Sequence, residues 1–279
     1  MNAGGPSTRS AEDILKFVYT NATSLNNKTL ELAVRLNTSP KPKVVMVTET
    51  WFNKCSTPFI SGYNLYQKDR KENPHGGVCI YVCESVMSVE VCDLSLCSKE
   101  VEVVCCEIRC GMDRVLVGCF YRNPRAPESE SREICRLIRN AKNEVESKRY
   151  TALMIAGDFN FPRVKWINGS GLFRSERMER IENVFIETLD DCSLTQCIVE
   201  PTFGRLAPLE IDTNLREGNI LDLLLTCSPE RILSVQHEAP LGDLKFAHDV
   251  LTWDFAVSTG HTQESRCRRN YNRANFEEL

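Results

Sequence analysis

From Phe17 onward, short apolar runs alternate with amphipathic stretches. Val44-Val45-Met46-Val47 follows Pro40-Lys41-Pro42. Four apolar residues bounded by turn formers leave no polar face, which predicts a strand buried on both sides. Gly77 to Val82 follows the turn cluster Asn73-Pro74-His75-Gly76 and predicts another. Val101 to Ile108 and Val115 to Tyr121 flank Gly111-Met112-Asp113 and predict an antiparallel pair. Leu153-Met154-Ile155-Ala156 predicts a buried strand that ends at Gly157-Asp158, and Ile220 to Thr226 and Val250 to Phe255 predict two later ones. Residues 128–148 have helical spacing, with Ile134, Leu137, Ile138, Ala141 and Val145 on one face, and residues 176–190 predict a second helix. Many strands with few helices between them predict an α/β (α+β) chain: two sheets packed face to face with helices outside.

Both ends depart from this pattern. Residues 1–15 are small and polar and predict a flexible segment, leaving residues 16–258 as one domain. Residues 259–279 are charged, lack a strand pattern and read as a linker. No run is long and apolar enough to span a bilayer, and the first residues lack the apolar core of a secretion signal. The expectation is therefore an intracellular protein, nuclear or cytoplasmic, not secreted and without a membrane partner.

Composition changes the picture in two places. Fourteen cysteines among 279 residues are many, yet Cys79, Cys83, Cys105 and Cys119 sit inside apolar runs, and no histidine stands at ligand spacing. They read as small buried hydrophobes in a reducing compartment, rather than as disulfides or a zinc site. The formal net charge of −4 argues against coating nucleic acid by overall charge. It leaves room for a local phosphate site in which a metal supplies the positive charge.

Candidate chemistry collects at strand ends. Gly157-Asp158-Phe159-Asn160-Phe161-Pro162 delivers an acid and an amide two residues apart, which on an extended chain point the same way. The same letters are turn formers, so alone they read sooner as a tight turn. Glu49, in Thr48-Glu49-Thr50-Trp51, suits a hard divalent cation, or is a solvated strand-end glutamate. Asn21 can complete a metal shell or simply sit in a turn. Tyr121-Arg122 at a strand end can donate to a phosphate, with Arg122 forking onto it, or can be a snorkelling edge pair. Asp222 lies inside Asn219-Ile220-Leu221-Asp222-Leu223-Leu224-Leu225, where a carboxylate needs a partner. His248, one of four histidines, can be that partner, although a lone histidine is more often structural.

In this order the motifs resemble the endonuclease/exonuclease/phosphatase superfamily, over nearly the whole chain from Phe17 to Phe255. The wording is closer still to the endonuclease domains of non-LTR (LINE-type) retrotransposons. Thr20-Asn21-Ala22-Thr23-Ser24-Leu25 with Lys28, Thr48-Glu49-Thr50-Trp51, Gly157-Asp158-Phe159-Asn160-Phe161-Pro162 with Trp166, Asn219-Ile220-Leu221-Asp222-Leu223 and Val250-Leu251-Thr252-Trp253 carry that likeness. The segment from Arg269-Asn270-Tyr271 to Phe276 is similar to the stretch that leads toward a reverse transcriptase.

The resemblance implies a four-layered αββα sandwich of two mixed, mostly antiparallel sheets. It implies that Asn21 and Glu49 hold Mg²⁺ (or Mn²⁺). Tyr121, Asp158 and Asn160 would bind the scissile phosphate and position the attacking water. Asp222 would orient His248, which would contact the phosphate or assist proton transfer. Thr202, in Glu200-Pro201-Thr202-Phe203, would touch the DNA backbone. The implied partners are a double-stranded DNA target, the element RNA and a reverse transcriptase domain of the same polyprotein, primed by the nick.

One motif departs. Where that family has Ser-Asp-His, this chain has Phe246-Ala247-His248, with Asp249 after the histidine. Neighbouring side chains on a strand face opposite sides, so Asp249 does not replace the missing acid. Two alternatives follow: a DNA- or partner-binding domain that has lost turnover, and another phosphoesterase of the same fold, such as an abasic-site nuclease or a lipid or inositol phosphatase.

Overall fold

A computed structural model describes residues 14–70, 75–173, 180–204, 218–242 and 247–258. Strands are numbered in chain order. One sheet contains β1 (Ile14–Asn21), β2 (Val44–Thr48), β3 (Tyr63–Lys68), β4 (Val78–Cys83), β15 (Ile232–Glu238) and β16 (Val250–Ala256), ordered β15-β16-β1-β2-β4-β3. The other contains β5 (Met87–Glu90), β6 (Glu102–Cys110), β7 (Asp113–Tyr121), β8 (Ala152–Asp158), β11 (Thr195–Gln196) and β14 (Asp222–Thr226), ordered β11-β14-β8-β7-β6-β5. Each sheet has one parallel pairing, β1 with β2 and β7 with β8; the other pairings are antiparallel. Two short ribbons, β9 (Lys165–Ile167) with β10 (Ser170–Leu172) and β12 (Phe203–Gly204) with β13 (Gly218–Asn219), lie outside the sheets.

Alternation along the strands decides how the layers stack. Leu15, Phe17 and Tyr19 of β1, with Met46, Ile80 and Trp253, meet Val104, Cys106, Val117, Cys119, Met154 and Leu224 of the other sheet in a shared core. Leu153, Ile155, Leu223 and Leu225 point away from that core, onto Ile134, Leu137 and Ile138 of α2 (Glu128–Glu146) and Phe185 and Leu189 of α3 (Ile181–Asp191). Val18, Val45, Val47 and Tyr81 point out of the first sheet, beneath Leu32 and Leu36 of α1 (Thr29–Leu36). Each fully buried large side chain contributes about 1.5–3 kcal/mol. The middle strands are covered on both faces, which is why they read as continuous apolar runs. The result is the expected αββα sandwich.

Several boundaries differ from expectation. β1 starts at Ile14, inside the segment expected to be flexible, because Ile14 and Leu15 pair with Ala256 and Phe255. β14 starts at Asp222 rather than Ile220, because Asn219 pairs with Phe203 instead. α3 runs over Ile181–Asp191, and the part of the expected helix at residues 176–179 lies outside the described residues, as do residues 1–13 and the expected linker at 259–279. α1, β3 and β15 were not expected; β3 and β15 are edge strands with mixed burial, which blurs their period. Thirteen described cysteines are free, and Cys79, Cys83, Cys105 and Cys119 are buried as expected. Among the described residues, no helix is long and apolar enough to cross a membrane.

Candidate active site

Register brings the polar residues together at one end of the sandwich. In the second sheet Asp158, the last residue of β8, lies opposite Asp222 of β14 on one side and Tyr121 of β7 on the other. In the first sheet Asn21 ends β1 beside Thr48, the last residue of β2, and Glu49 follows. Tyr19 and Asn21 are two residues apart on a strand and so share a face.

The contacts form a chain across the gap between the sheets. Asn21 Nδ2 donates to Asp158 Oδ2 at 2.9 Å and to Glu49 Oε1 at 3.3 Å. Glu49 also accepts from Tyr121 Oη at 2.9 Å and from Trp51 Nε1 at 3.1 Å. Asp158 Oδ1 accepts the backbone N–H of Asn160 at 3.1 Å. Asp222 takes Tyr19 Oη on one oxygen and His248 Nδ1 on the other, each at 2.6 Å. The second imidazole nitrogen, His248 Nε2, stands 4.0 Å from Asp158 Oδ2, too far for a direct hydrogen bond. A backbone bridge pairs His248 with Phe203, whose ring centroid lies 4.7 Å from that of the imidazole.

Burial and charge perturb the two central groups. Burial, reinforced by the nearby Asp222 charge, pushes the Asp158 carboxyl up to about 8. Burial alone would lower the His248 imidazole, but the Asp222 carboxylate, with Asp158 and Glu49 beyond it, outweighs that and raises it to about 9. Burial and the adjacent Glu49 charge push the Tyr121 phenol far above its ordinary range, so its proton stays on and donates.

The donor set fits a hard divalent cation. Three carboxylates, Glu49, Asp158 and Asp222, sit close together, and among the described residues none pairs with a lysine or arginine; the neighbouring cationic group is His248. Such an uncompensated cluster of oxygen donors suits Mg²⁺ or Mn²⁺ rather than a soft metal. Asp158, Asp222 and His248 offer ligand atoms within 4.8 Å of one another, although Asp222 and His248 are already bonded to each other.

Four expected residues do other work than their letters suggested. The Asn21 oxygen accepts the Thr23 N–H at 3.0 Å, while its amide nitrogen bridges the Asp158 and Glu49 carboxylates. Asn160 has φ +50°, a left-handed turn residue rather than a continued strand, and its side chain donates to the Arg122 carbonyl at 2.9 Å. It therefore does not align with Asp158 as an extended chain would. Arg122 is buried. Its guanidinium donates to Ser131 Oγ at 2.7 Å and the Asn160 carbonyl at 3.1 Å, and lies over the Phe161 ring. These contacts fix the Asp158–Asn160 turn against α2. Thr202 is also buried, and its hydroxyl accepts from the N–H groups of Leu221 and Asp222 at 3.2 and 3.1 Å, so it braces β14 instead of reaching outward.

Ala247 precedes His248 as half-buried backbone with no acid, and Phe246 lies outside the described residues. Asp249 points away from the site, to His237 Nδ1 at 2.9 Å, as strand alternation required. Sequence reasoning missed Tyr19 and gave no role to Trp51. The signal for Tyr19 was available, since it shares a strand face with Asn21.

No protein-family model and no curated protein matches this sequence. Solved structures do. The endonuclease domain of TRAS1, a telomere-specific non-LTR retrotransposon, superposes with a TM-score of 0.63 at 16% identity, covering 88% of this chain and 100% of that one. The 3'-5' exonuclease NExo from Neisseria meningitidis gives 0.62 at 16% identity over 87% and 100%, and the AP endonuclease LMAP from Leishmania major gives 0.61 at 14% over 90% and 90%. With its six-stranded sheets, outer helices and carboxylate–imidazole cluster at one rim, this chain has the endonuclease/exonuclease/phosphatase fold, shared with the non-LTR retrotransposon endonuclease TRAS1.

Proposed function

We propose that this chain is a divalent-metal-dependent DNA endonuclease that nicks its target by phosphodiester hydrolysis, and that in a longer polyprotein the nick primes reverse transcription of a non-LTR retrotransposon. The observation that carries it is the convergence of Asn21, Glu49, Tyr121, Asp158, Asp222 and His248 from six scattered chain segments at one rim. The TRAS1 likeness supports the retrotransposon setting.

Glu49 would hold the cation, with Asn21, Tyr121 and Trp51 fixing its carboxylate. Bound there, a divalent cation neutralises phosphate charge and stabilises the leaving oxygen. The chain supplies the rest. Asp158, held by Asn21 and the Asn160 N–H, faces the same space as His248 Nε2. In its ionised form the Asp158 carboxylate can accept a proton from an attacking water. The imidazole, kept protonated by Asp222, presents Nε2–H as a cationic donor to a phosphate oxygen. The test is relaxation of supercoiled plasmid with purified protein: Mg²⁺-dependent nicked circles that EDTA suppresses are expected. Intact plasmid at every Mg²⁺ and Mn²⁺ concentration would refute turnover.

Ala247 favours a second reading, in which DNA binds and is not cut. Retention of plasmid in a gel-shift assay, with no nick in either metal, would select it. Comparing plain plasmid with an abasic duplex separates a target-nicking enzyme from a repair nuclease.

A further inference from the structure

Along β1 the side chains that enter the core between the sheets are Leu15, Phe17 and Tyr19. The third carries a hydroxyl that is fully buried. A phenylalanine would fill the same space without desolvating a polar group, so the hydroxyl needs a partner. It has two. Tyr19 Oη lies 2.6 Å from Asp222 Oδ1 and 3.0 Å from Thr48 Oγ1. A phenol has one proton, and the charged carboxylate takes it; the Tyr19 oxygen then accepts from Thr48. Burial and the surrounding carboxylates hold the Tyr19 phenol well above its ordinary range, which keeps that proton in place.

Asp222 is thereby held at three points. Its backbone N–H meets Thr202 Oγ1, Oδ1 meets Tyr19 and Oδ2 meets His248 Nδ1. A carboxylate bound on one oxygen alone can rotate and change which oxygen the imidazole sees. Bound on both, it presents one oxygen in one direction, so His248 keeps its Nδ1–H on Asp222 and its Nε2 toward Asp158. We propose that Tyr19 is a positioning residue of this site, acting on His248 through the Asp222 carboxylate. The proposal rests on the nuclease reading for its kinetic test, but its geometry is independent of that reading.

The test compares the full-length wild type, Tyr19→Phe, His248→Ala and the double variant in single-turnover plasmid nicking, with thermal melts alongside. Tyr19→Phe should lower the cleavage rate constant about 10- to 100-fold with little change in DNA affinity, the size expected for a misplaced catalytic group. On the His248→Ala background it should add nothing, because both changes break one unit. An unchanged rate in a folded Tyr19→Phe protein overturns the proposal, as does an equal further loss without His248.

If the wild type does not nick at all, the nuclease reading fails and the Tyr19 proposal is still read by proton NMR. The His248 Nδ1–H, sheltered by Asp222, should give a slowly exchanging low-field resonance. Tyr19→Phe should shift or broaden it. Tyr63→Phe, which removes a buried hydroxyl bound to the Pro42 carbonyl elsewhere, should not. A resonance unaltered by Tyr19→Phe overturns the proposal. Should Tyr19→Phe fail to fold, Thr48→Val, which removes the hydroxyl behind the phenol, takes its place with the same readout: a perturbed resonance supports the proposal and an unperturbed one overturns it.

Discussion

In the proposed mechanism Asp158 and His248 would divide the labour between them, and each is tuned by what surrounds it. Both charged forms are biased by the same carboxylate, Asp222, in opposite senses: it discourages ionisation of Asp158 and encourages protonation of His248. A general base or acid typically contributes about 10²–10⁴ in rate. His248→Ala and Asp158→Ala are each expected to reduce plasmid nicking to that extent or more, and wild-type rates in both would discard the assignment. Ala247→Asp is expected to raise nicking and lower the Mg²⁺ concentration needed for half-maximal rate. The reason is local: it adds a carboxylate beside His248, which Asp249 cannot supply while it faces His237. Equal metal dependence before and after would mean that the site is complete without that acid. Trp51 belongs to this scale too, since its indole N–H holds the oxygen of Glu49 that Tyr121 and Asn21 leave free.

The parallel pair β7 and β8 is the element on which the site stands. Its register sets Tyr121 beside Asp158, and the pair can close only because residue 157 is glycine. A Cβ there would overlap the carbonyl of Phe120, which is backbone and cannot move aside. Gly157→Ala is therefore expected to destabilise the fold by about 1–3 kcal/mol, as overpacking does, and to displace Asp158 as the next residue. Circular-dichroism melts should show the lower midpoint, and nicking should fall more than stability alone explains; an unchanged melt and unchanged rate would contradict this pairing. The turn after β8 is equally constrained. Asn160 tolerates its left-handed backbone, and Arg122 grips its carbonyl while the Asn160 amide grips the Arg122 carbonyl in return.

Across the whole molecule, one buried carboxylate far from the site ties the two sheets together. Asp113 begins β7. It pairs with Arg231 ahead of β15, and accepts from Thr151 Oγ1 at 2.8 Å and from the Ser258 N–H at 2.6 Å. Burial alone would raise its pKa, but the guanidinium and hydrogen bonds outweigh it and hold the carboxyl below its ordinary 3.8. A carboxyl depressed in the folded state adds stability above the unfolded pKa, and that stability disappears as the pH falls through the lower folded value. Asp113→Asn should thus cost on the order of 3 kcal/mol at neutral pH, as loss of one partner of a buried pair does, and the difference from wild type should shrink below about pH 4. Urea denaturation at pH 7 and in acid checks both halves; a gap that persists in acid would place the effect elsewhere.

Some of this was legible without coordinates. Val44 to Val47, Gly77 to Val82 and Leu153 to Ala156 announce buried strands because period and burial are local properties, and the acids and amides at their ends mark one rim. The isolated Asp222 in an apolar run already demanded a partner. Edge strands such as β3 and β15 were not legible, since half-buried positions carry no clean period. Nor were the directions in which polar side chains turn. Arg122 bonds Ser131 and the Asn160 carbonyl, Thr202 accepts from two backbone N–H groups, Asn21 bridges two carboxylates, and Tyr19, which looks like core, holds Asp222. The sequence by itself determined which segments form the buried strands, which of their residues must be inside and which chemistry is present. Only the tertiary structure decided which donor meets which acceptor, because those pairings join residues as far apart as 203 positions and depend on strand register and layer packing, neither of which is written in any local pattern.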